Sequence, residues 1–266
     1  MTFPHDYPVL PERIPVNPGL RSGHYFADFA RSRSELEEVQ RLRFEVFNLE
    51  MGEGLDESYL TRMDVDPYDD QCHHLIVRDE KTGELVGTYR MQSQPMAQLG
   101  HGFYSDTEYR LEDFPSELME KSLELGRACI SSEHRSGRVL FLLWRGLLYY
   151  LQYNKLRYMF GCCSLNSQDI SEGWALYTRL RRSDNLHREF SLKAREGYVC
   201  EGEVPDEELI AGTEFPRLML LYLDYGAKIC SEPAIDRAFK TIDYLALFDL
   251  EVIPEKLMKV FKKDIA

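Results

Sequence analysis

The stretch that most constrains the fold of this chain is Ser122 to Leu156, SLELGRACISSEHRSGRVLFLLWRGLLYYLQYNKL. A short, mostly apolar run is followed by a polar turn and then by a long segment in which apolar residues recur at helical spacing. The pattern predicts a buried strand, a tight turn and a helix that belongs to the hydrophobic core. A chain built around this unit needs a sheet for the strand to join.

Charged residues stand at informative places in this stretch. Glu124 and Arg127 lie within the predicted buried strand, and His134, Arg135, Ser136 and Gly137 precede the helix. The first turn of a helix offers free N–H groups and a partial positive charge, so it favours anions such as phosphate. A buried carboxylate beside such a turn suits a group-transfer enzyme that uses a phosphorylated carrier. The alternative is a buried strand and a core helix joined by an ordinary loop.

Composition limits the function classes. The 266 residues are 44% hydrophobic, which is enough for a real core, and the net charge of −13 disfavours broad binding to nucleic acid. The N-terminus lacks the apolar segment of a signal peptide, and the apolar run 139–153 is interrupted by Arg145 and is too short to span a bilayer. The six cysteines show no metal-binding spacing. We therefore expect a cytoplasmic protein with reduced thiols and no metal.

The first half of the chain predicts a strand, a helix and a hairpin. Residues 1–22 are proline-rich and predict an extended arm, and residues 24–30 predict a first strand. Ser34 and Glu37 have the spacing of a capping box at the start of a helix. Arg43 and Glu50 interrupt the apolar stripe of that helix, so both should be paired or face a cleft, or else extend to the rim of the interface.

An acidic, irregular segment and a hairpin come next. Residues 51–71 predict a long loop, which is a frequent place for a functional lid or a binding site, although a solvated acidic loop is the usual alternative. Residues 72–79 and 85–91 predict two strands joined by a turn that contains Gly83. His73 and His74 are adjacent and point to opposite faces of the first of these strands, so they cannot form a metal-ligand pair on one face.

The second half predicts further strands and helices in turn. Strands are expected at residues 157–164, 193–200 and 241–250, and helices at residues 168–182, 215–226 and 254–263. The last helix is basic and amphipathic, so it could lie on a membrane surface or pack against the protein.

The order of these elements resembles the GNAT acyltransferase fold, an α/β (α+β) arrangement with a central mixed twisted sheet flanked by helices, here with a C-terminal extension. More closely, the chain resembles the bacterial N-acyltransferases that use acyl carrier protein, including ornithine and glycine N-acyltransferases, and the related acyl-homoserine lactone synthases. The segments that carry the resemblance are LRFEVFNLEMG (42–52), DPYDDQCHHLIVRDEKTGELVGTYRM (66–91), ELGRACISSEHRSGRVLFLLWRGL (124–147) and YLDYGAKICSEPAIDRAFKTIDYL (222–245). The last segment is similar to the amino-acid acyltransferases alone.

The resemblance implies a set of active-site residues. The charged positions that match the active-site cluster of the lactone synthases are Arg43, Asp66, Asp69, Arg90, Glu124 and Arg127. Glu124 is the implied general base. The turn implied to hold the phosphopantetheine phosphate consists of Arg135, Ser136, Gly137 and Arg138, a degraded form of the acetyl-CoA loop of this fold. Gly126 stands where many lactone synthases carry Ser or Thr, which favours amide formation over lactone synthesis.

The expected reaction moves a long-chain acyl group, with or without a 3-hydroxyl, from acyl carrier protein or acyl-CoA to the α-amine of an amino acid such as ornithine or glycine. No permanently bound cofactor is expected, and peripheral contact with a membrane is left open. The alternatives are an acyl-homoserine lactone synthase and a non-catalytic lipid-binding protein. We expect an arm at 1–23, a catalytic core at 24–190 and a C-terminal part of the same domain at 191–266. Six arginines are expected to dock the acidic carrier protein: Arg135, Arg138, Arg145, Arg179, Arg181 and Arg182.

Overall fold

A computed structural model describes residues 7–16, 19–202 and 205–254 of the chain. Within these residues nine strands form one open sheet in the order β1-β2-β3-β4-β5-β6-β9-β7, with β8 paired to β9. The strands are β1 (Leu20–Ser22), β2 (Tyr25–Phe29), β3 (His73–Asp79), β4 (Leu85–Ser93), β5 (Ser122–Ile130), β6 (Tyr158–Leu165), β7 (Lys228–Ile229), β8 (Ala234–Asp236) and β9 (Thr241–Asp249).

The sheet is mixed, as predicted. Strands β5 and β6 pair in parallel, and every other paired strand is antiparallel to its neighbour. A parallel pair needs a crossover connection. The crossover here is the apolar helix of the 122–156 stretch, so this stretch does form the strand, turn and helix that its sequence predicts.

Eight α-helices accompany the sheet in the described part of the chain. They are α1 (Arg33–Arg43), α2 (Ser58–Thr61), α3 (Gln94–Leu99), α4 (Ser116–Glu120), α5 (Arg138–Tyr153), α6 (Ile170–Arg182), α7 (Glu207–Gly212) and α8 (Arg217–Asp224). Helix α5 packs across strands β1 to β5, and its buried Trp144 contacts the aromatic side chains of Tyr222 and Phe248. Leu176 of α6 and Tyr222 of α8 belong to the same core.

Helix α1 begins two residues before the predicted position. Ser32, and not Ser34, is the N-cap: its hydroxyl accepts a hydrogen bond from the Glu35 amide, and the Glu35 carboxylate accepts one from the Arg31 amide. The sequence RSRSELE holds two overlapping Ser-x-x-Glu matches, and local sequence does not decide between them. The helix continues without interruption into a π-helical segment, Phe44–Glu50.

Other differences concern short or irregular elements. Residues 193–200 form no strand; Leu192, Ala194 and Val199 make only isolated bridges to Ser231, Tyr109 and Ala234. The brief strands β1, β7 and β8 were not predicted, and each is three residues or shorter. The predicted helix at 254–263 lies outside the described residues except for its first position. In the described ranges, no helix combines the length and hydrophobicity that crossing a bilayer requires.

Candidate active site

The cavity of this protein opens where strands β5 and β6 separate. Their parallel pairing ends at Glu124 and Phe160. Beyond that point a cavity of about 640 Å³ lies between the two strands, lined by residues 125–130 of β5 and 162–164 of β6. Gly161 marks the fork, because a Cβ at this position would lie 2.1 Å from the backbone oxygen of Leu125. Only glycine allows the two backbones to approach this closely before they diverge.

A bulge in β5 shapes the cavity wall. The register with β4 passes from Thr88–Cys129 to Arg90–Gly126, so Arg127 and Ala128 together face the single residue Tyr89. Arg127 has a φ of 48°, a left-handed conformation that is costly for a residue with a side chain. Bulges redirect side chains and free backbone groups from the ladder. Arg127 and Ala128 are accordingly paired with no residue of β4 or β6 in the sheet.

Three arginines and three aspartates form a buried network behind this bulge. Arg43, which is 0% exposed, donates to Asp64 through Nε and to Asp69 through Nη1, each at 2.7 Å. Arg90 contacts Asp66 at 2.5 Å and Asp69 at 3.1 Å. Arg127 lies 3.2 Å from Asp66. The network is electrically balanced, which is the condition under which buried charges are tolerated.

The network fixes the charge of its members. Burial alone would raise the pKa of Asp69, but Arg43 and Arg90 lower that pKa well below its ordinary value. Burial raises the pKa of Asp66 as well, and Arg90 and Arg127 more than offset it, so the net shift is downward. Asp66 and Asp69 therefore remain ionised at neutral pH and hold Arg90 and Arg127 in place.

The six predicted catalytic residues divide into two layers. Arg90, Glu124 and Arg127 line the cavity, whereas Arg43, Asp66 and Asp69 are not among its lining residues. The outer three are in position to contact a substrate. Asp66 contacts both Arg90 and Arg127, and Asp69 contacts Arg90. Arg43 contacts Asp69 and so acts on the outer arginines through that carboxylate. The expectation that Arg43 would be paired is confirmed, and Glu50 pairs with Arg135.

Glu124 is held by the backbone of a neighbouring segment. Its carboxylate accepts hydrogen bonds from the amides of Tyr104 at 3.0 Å and Ser105 at 2.7 Å, at the start of the 3-10 turn Tyr104–Thr107. The side chain is buried, and burial raises the pKa of Glu124 even though these amides and Arg90 act in the opposite direction. A carboxylate with a raised pKa that faces a cavity is suited to accept a proton.

The predicted phosphate turn reaches the cavity at two of its four residues. Arg135 and Gly137 line the cavity, and Ser136 and Arg138 do not. Gly137 has a φ of 85° and is the N-cap of α5, where no side chain caps the helix. The N–H groups of the first turn of this 16-residue helix are thus left without a side-chain cap. The guanidinium of Arg135 forms a two-point ion pair with Glu50.

The wall of the cavity includes both apolar and acidic residues. One part is apolar and lies between α5 and α8, with Leu140, Leu143, Leu218, Leu221 and Tyr222 on its wall. Another part carries the carboxyl groups of Glu53 and Asp243. The cavity therefore offers an apolar compartment and an acidic compartment.

The cysteines of the cavity are unsuited to nucleophilic catalysis. Cys72, Cys129, Cys162 and Cys163 all line it, and burial raises the pKa of each thiol above its ordinary value. A protonated thiol is a poor nucleophile. None of the six cysteines forms a disulfide. One group of possible metal ligands, Glu108, Cys162 and Asp243, comes within 4.8 Å among the described residues.

Sequence reasoning missed four residues of this site. Asp64 lies in the acidic segment 51–71, where nothing distinguishes it from the other aspartates. Tyr104 lies in a segment without a clear pattern, yet the Tyr104 amide donates to Glu124 and the Tyr104 hydroxyl donates to Asp236 at 3.1 Å. Glu53 carried no pattern of its own. The one available signal for Asp243 was a lone carboxylate inside the apolar strand TIDYLALFD.

Known proteins are similar to this chain in sequence. A model of the acetyltransferase (GNAT) domain matches residues 42–145. The L-ornithine N(alpha)-acyltransferase of Brucella abortus is 30% identical over 252 residues, which cover 91% of this chain and 90% of that protein. The enzyme of the same name from Rhizobium meliloti is 30% identical over 246 residues, 88% of this chain and 83% of that protein.

A solved structure has the same fold. An N-acyl amino acid synthase from uncultured soil microbes superposes with a TM-score of 0.50 at 12% identity, over 86% of this chain and 94% of that one. The predicted GNAT fold is thereby confirmed, and the protein is an amide-forming acyltransferase. This chain belongs to the family of the L-ornithine N(alpha)-acyltransferases.

Proposed function

We propose that this protein transfers a long-chain acyl group from the phosphopantetheine thioester of an acyl carrier protein to the α-amine of ornithine. The observation that carries the proposal is the placement of Glu124, a buried carboxylate with a raised pKa, in one cavity with an apolar compartment. The names of the relatives, each an L-ornithine N(alpha)-acyltransferase, support ornithine as the acceptor.

Glu124 is the general base in this proposal. The α-amine enters as an ammonium ion, and Glu124 takes one proton from it so that its lone pair can attack the thioester carbon. The C–N bond forms, the C–S bond breaks, and the departing sulfur receives the second amine proton by way of Glu124. The products are an amide and a free pantetheine thiol, and one proton passes to solvent.

The bulge supplies polarising groups. The thioester oxygen becomes negative in the tetrahedral intermediate, and backbone N–H groups at Arg127 and Ala128 are the candidates to stabilise it, because the strand ladder does not pair these residues. The guanidinium of Arg127 adds positive charge on the same wall. Arg43, Asp66 and Asp69 act as positioning residues that fix Arg90 and Arg127.

The donor occupies the remaining parts of the cavity. The pantetheine phosphate lies at the uncapped start of α5, and the acyl chain extends between α5 and α8. Arg135 and Arg138 border this entrance and suit an acidic carrier protein. Arg145, which the sequence placed in the same docking patch, is only 6% exposed, so it has no place on a docking surface.

Mass spectrometry of product mixtures tests the proposal. The purified protein is incubated with long-chain acyl carrier protein or acyl-CoA and with ornithine, lysine, glycine or S-adenosylmethionine. We expect N-acyl-ornithine, formed faster from the carrier protein than from CoA. A lactone formed from S-adenosylmethionine would identify a lactone synthase, and an intact thioester with every acceptor would favour a lipid-binding protein; both outcomes contradict the proposal.

The base is tested with one variant and one matched control. Glu124→Gln removes the proton acceptor and is expected to lower kcat by about 10²- to 10⁴-fold. Glu120→Gln changes an exposed carboxylate shortly before the same strand and is expected to leave the rate unchanged. A Glu124→Gln protein that keeps the parent rate and the parent melting temperature would refute the assignment of the base.

A further inference from the structure

Glu50 is a charged residue of the cavity wall that the proposed reaction does not use. It ends the π-helical segment Phe44–Glu50, it lines the cavity, and its side chain is 38% exposed. Arg135, in the turn before α5, lines the same cavity and has a side chain that is 44% exposed. A side chain that lines a cavity and also meets solvent lies at the opening of that cavity. Two elements of the fold therefore each bring one charge to the opening.

The two side chains form a two-point ion pair. Nη1 and Nη2 of Arg135 donate to the two carboxylate oxygens of Glu50, the second at 2.7 Å. Nε of Arg135 donates to the carbonyl oxygen of Ile130, the last residue of β5, at 3.0 Å. The guanidinium is thus fixed to β5 through Nε, and its outer edge carries the carboxylate. A phosphate presents two oxygens to such an edge in the same way. Glu50 therefore occupies the edge of Arg135 that an anionic ligand would use.

A second contact joins the same segment to the other side of the fork. The carbonyl oxygen of Met51 accepts a hydrogen bond from the side-chain amide of Asn166 at 3.2 Å. Asn166 directly follows β6, and Arg135 follows β5 by five residues. Strands β5 and β6 are the two strands whose separation forms the cavity. Residues 50 and 51 therefore connect the two sides of the fork at its open end.

Both connections are of a kind that opens easily. Glu50, Arg135 and Asn166 are exposed, in contrast to the fully buried arginine–aspartate network. An ion pair between exposed side chains contributes little to stability, because water and salt screen it and two long side chains must be ordered to form it. The Glu50–Arg135 pair can therefore be exchanged for another contact while the network stays intact.

We infer that the Glu50–Arg135 ion pair is an autoinhibitory contact at the cavity opening: the carboxylate of Glu50 occupies Arg135 until the phosphate of the acyl donor displaces it. The inference rests on the proposed function, which places that phosphate at the entrance that Arg135 borders. Donor binding exchanges one anionic partner of Arg135 for another and releases residues 50 and 51 from β5. Glu50 thus lowers the affinity for the donor, and its removal should increase that affinity.

Direct binding of unreactive donor fragments tests this competition. Calorimetry with the full-length protein compares 4′-phosphopantetheine with pantetheine, which lacks the phosphate; neither carries an acyl group, so no transfer takes place. Glu50→Gln keeps the size of the side chain but removes its charge. We expect Glu50→Gln to bind 4′-phosphopantetheine about two- to fivefold more tightly than the parent protein, the range that an exposed ion pair allows. The affinity for pantetheine should change little.

A double variant separates competition for Arg135 from general repulsion of the phosphate. Arg135→Gln should weaken the binding of 4′-phosphopantetheine, and adding Glu50→Gln to it should give no further gain, because the group for which Glu50 competes is gone. A gain of equal size in the Arg135→Gln background would overturn the inference. Glu45→Gln is the matched control: Glu45 belongs to the same π-helical segment and is exposed, and it lies outside the set of cavity-lining residues. This variant changes the net charge equally and should keep the parent affinity.

The remaining outcomes also decide the question. An unchanged or lower affinity of Glu50→Gln for 4′-phosphopantetheine would overturn the inference, as would an equal gain in Glu45→Gln or the lack of measurable binding to Glu50→Gln. Each of these results would stand even if the protein forms N-acyl-ornithine. A gain in Glu50→Gln that requires Arg135, without any acyl product from the parent protein, would support the autoinhibitory contact and refute only the proposed reaction.

Discussion

Removing the guanidinium of Arg43 tests whether the arginine–aspartate network holds the catalytic wall in place. Arg43→Met keeps most of the side-chain volume but leaves the carboxylates of Asp64 and Asp69 without the partner that each contacts at 2.7 Å. Breaking a buried ion pair from one side costs about 3–5 kcal/mol. For a protein of this size that corresponds to a fall in melting temperature of roughly 6–20 °C.

The pH dependence of the loss identifies its cause. In the parent protein the pKa of Asp69 is lowered in the fold, so its contribution to stability is present above its unfolded pKa and is lost as the pH falls through its folded pKa. Without Arg43 the burial of Asp69 is opposed by one positive charge fewer, so the pKa of Asp69 rises and this carboxyl can become neutral in mild acid. The difference in unfolding free energy between parent and Arg43→Met should therefore be largest near pH 7.5 and smaller near pH 5.

Thermal unfolding followed by circular dichroism at the two pH values measures this difference. Arg41→Met is the matched control, because Arg41 is exposed and its one ion pair among the described residues is with Glu37, one turn earlier on the same helix. A melting temperature of Arg43→Met within about 2 °C of the control would refute the reasoning. A large loss of stability that is equal at both pH values would show that Arg43 contributes through packing and not through its charge.

Two further predictions concern the cavity. Gly161→Ala places a methyl group against the Leu125 carbonyl, so the fork between β5 and β6 must shift. We expect a loss of activity and a lower melting temperature. Wild-type values for both would contradict the assigned role of Gly161. Leu218→Trp narrows the apolar compartment, so competition assays with acyl donors of mixed length should yield products with shorter acyl chains. An unchanged distribution of acyl-chain lengths in the products would show that the acyl chain binds elsewhere.

Regular elements of this fold could be predicted from the sequence because their signals are local. The apolar period of α5 and the Gly83 turn of the β3–β4 hairpin each lie within a short window, and both elements form as predicted. Short strands behave differently. Strands β7 and β8 exist because β9 offers a partner, and residues 193–200, which carry the pattern of a strand, find only isolated bridges. Pairing partners, which sequence patterns do not reveal, decide such cases.

The site depends on tertiary contacts more than the fold does. The arginines and carboxylates of the first network were found because the resemblance to known enzymes marked them, yet the same resemblance gave no indication of Asp64, which completes the charge balance. Glu53 and Asp243 lie 190 positions apart in the chain and meet only because the π-helical end of the first helix delivers Glu53 to the wall formed by β9. No local pattern encodes such a meeting.

Three irregular features of this molecule lie at the groups of the proposed mechanism. The π-helical segment carries Phe47 and Glu50 to the cavity, the bulge frees Arg127 and Ala128 from the ladder, and Gly161 permits the two strands to separate. Each departure from regular geometry costs stability and would be removed by selection for stability alone. The proposed reaction would account for their convergence on one cavity, because in it a thioester enters between the strands, its carbonyl oxygen meets unpaired N–H groups, and a carboxylate takes a proton from the attacking amine.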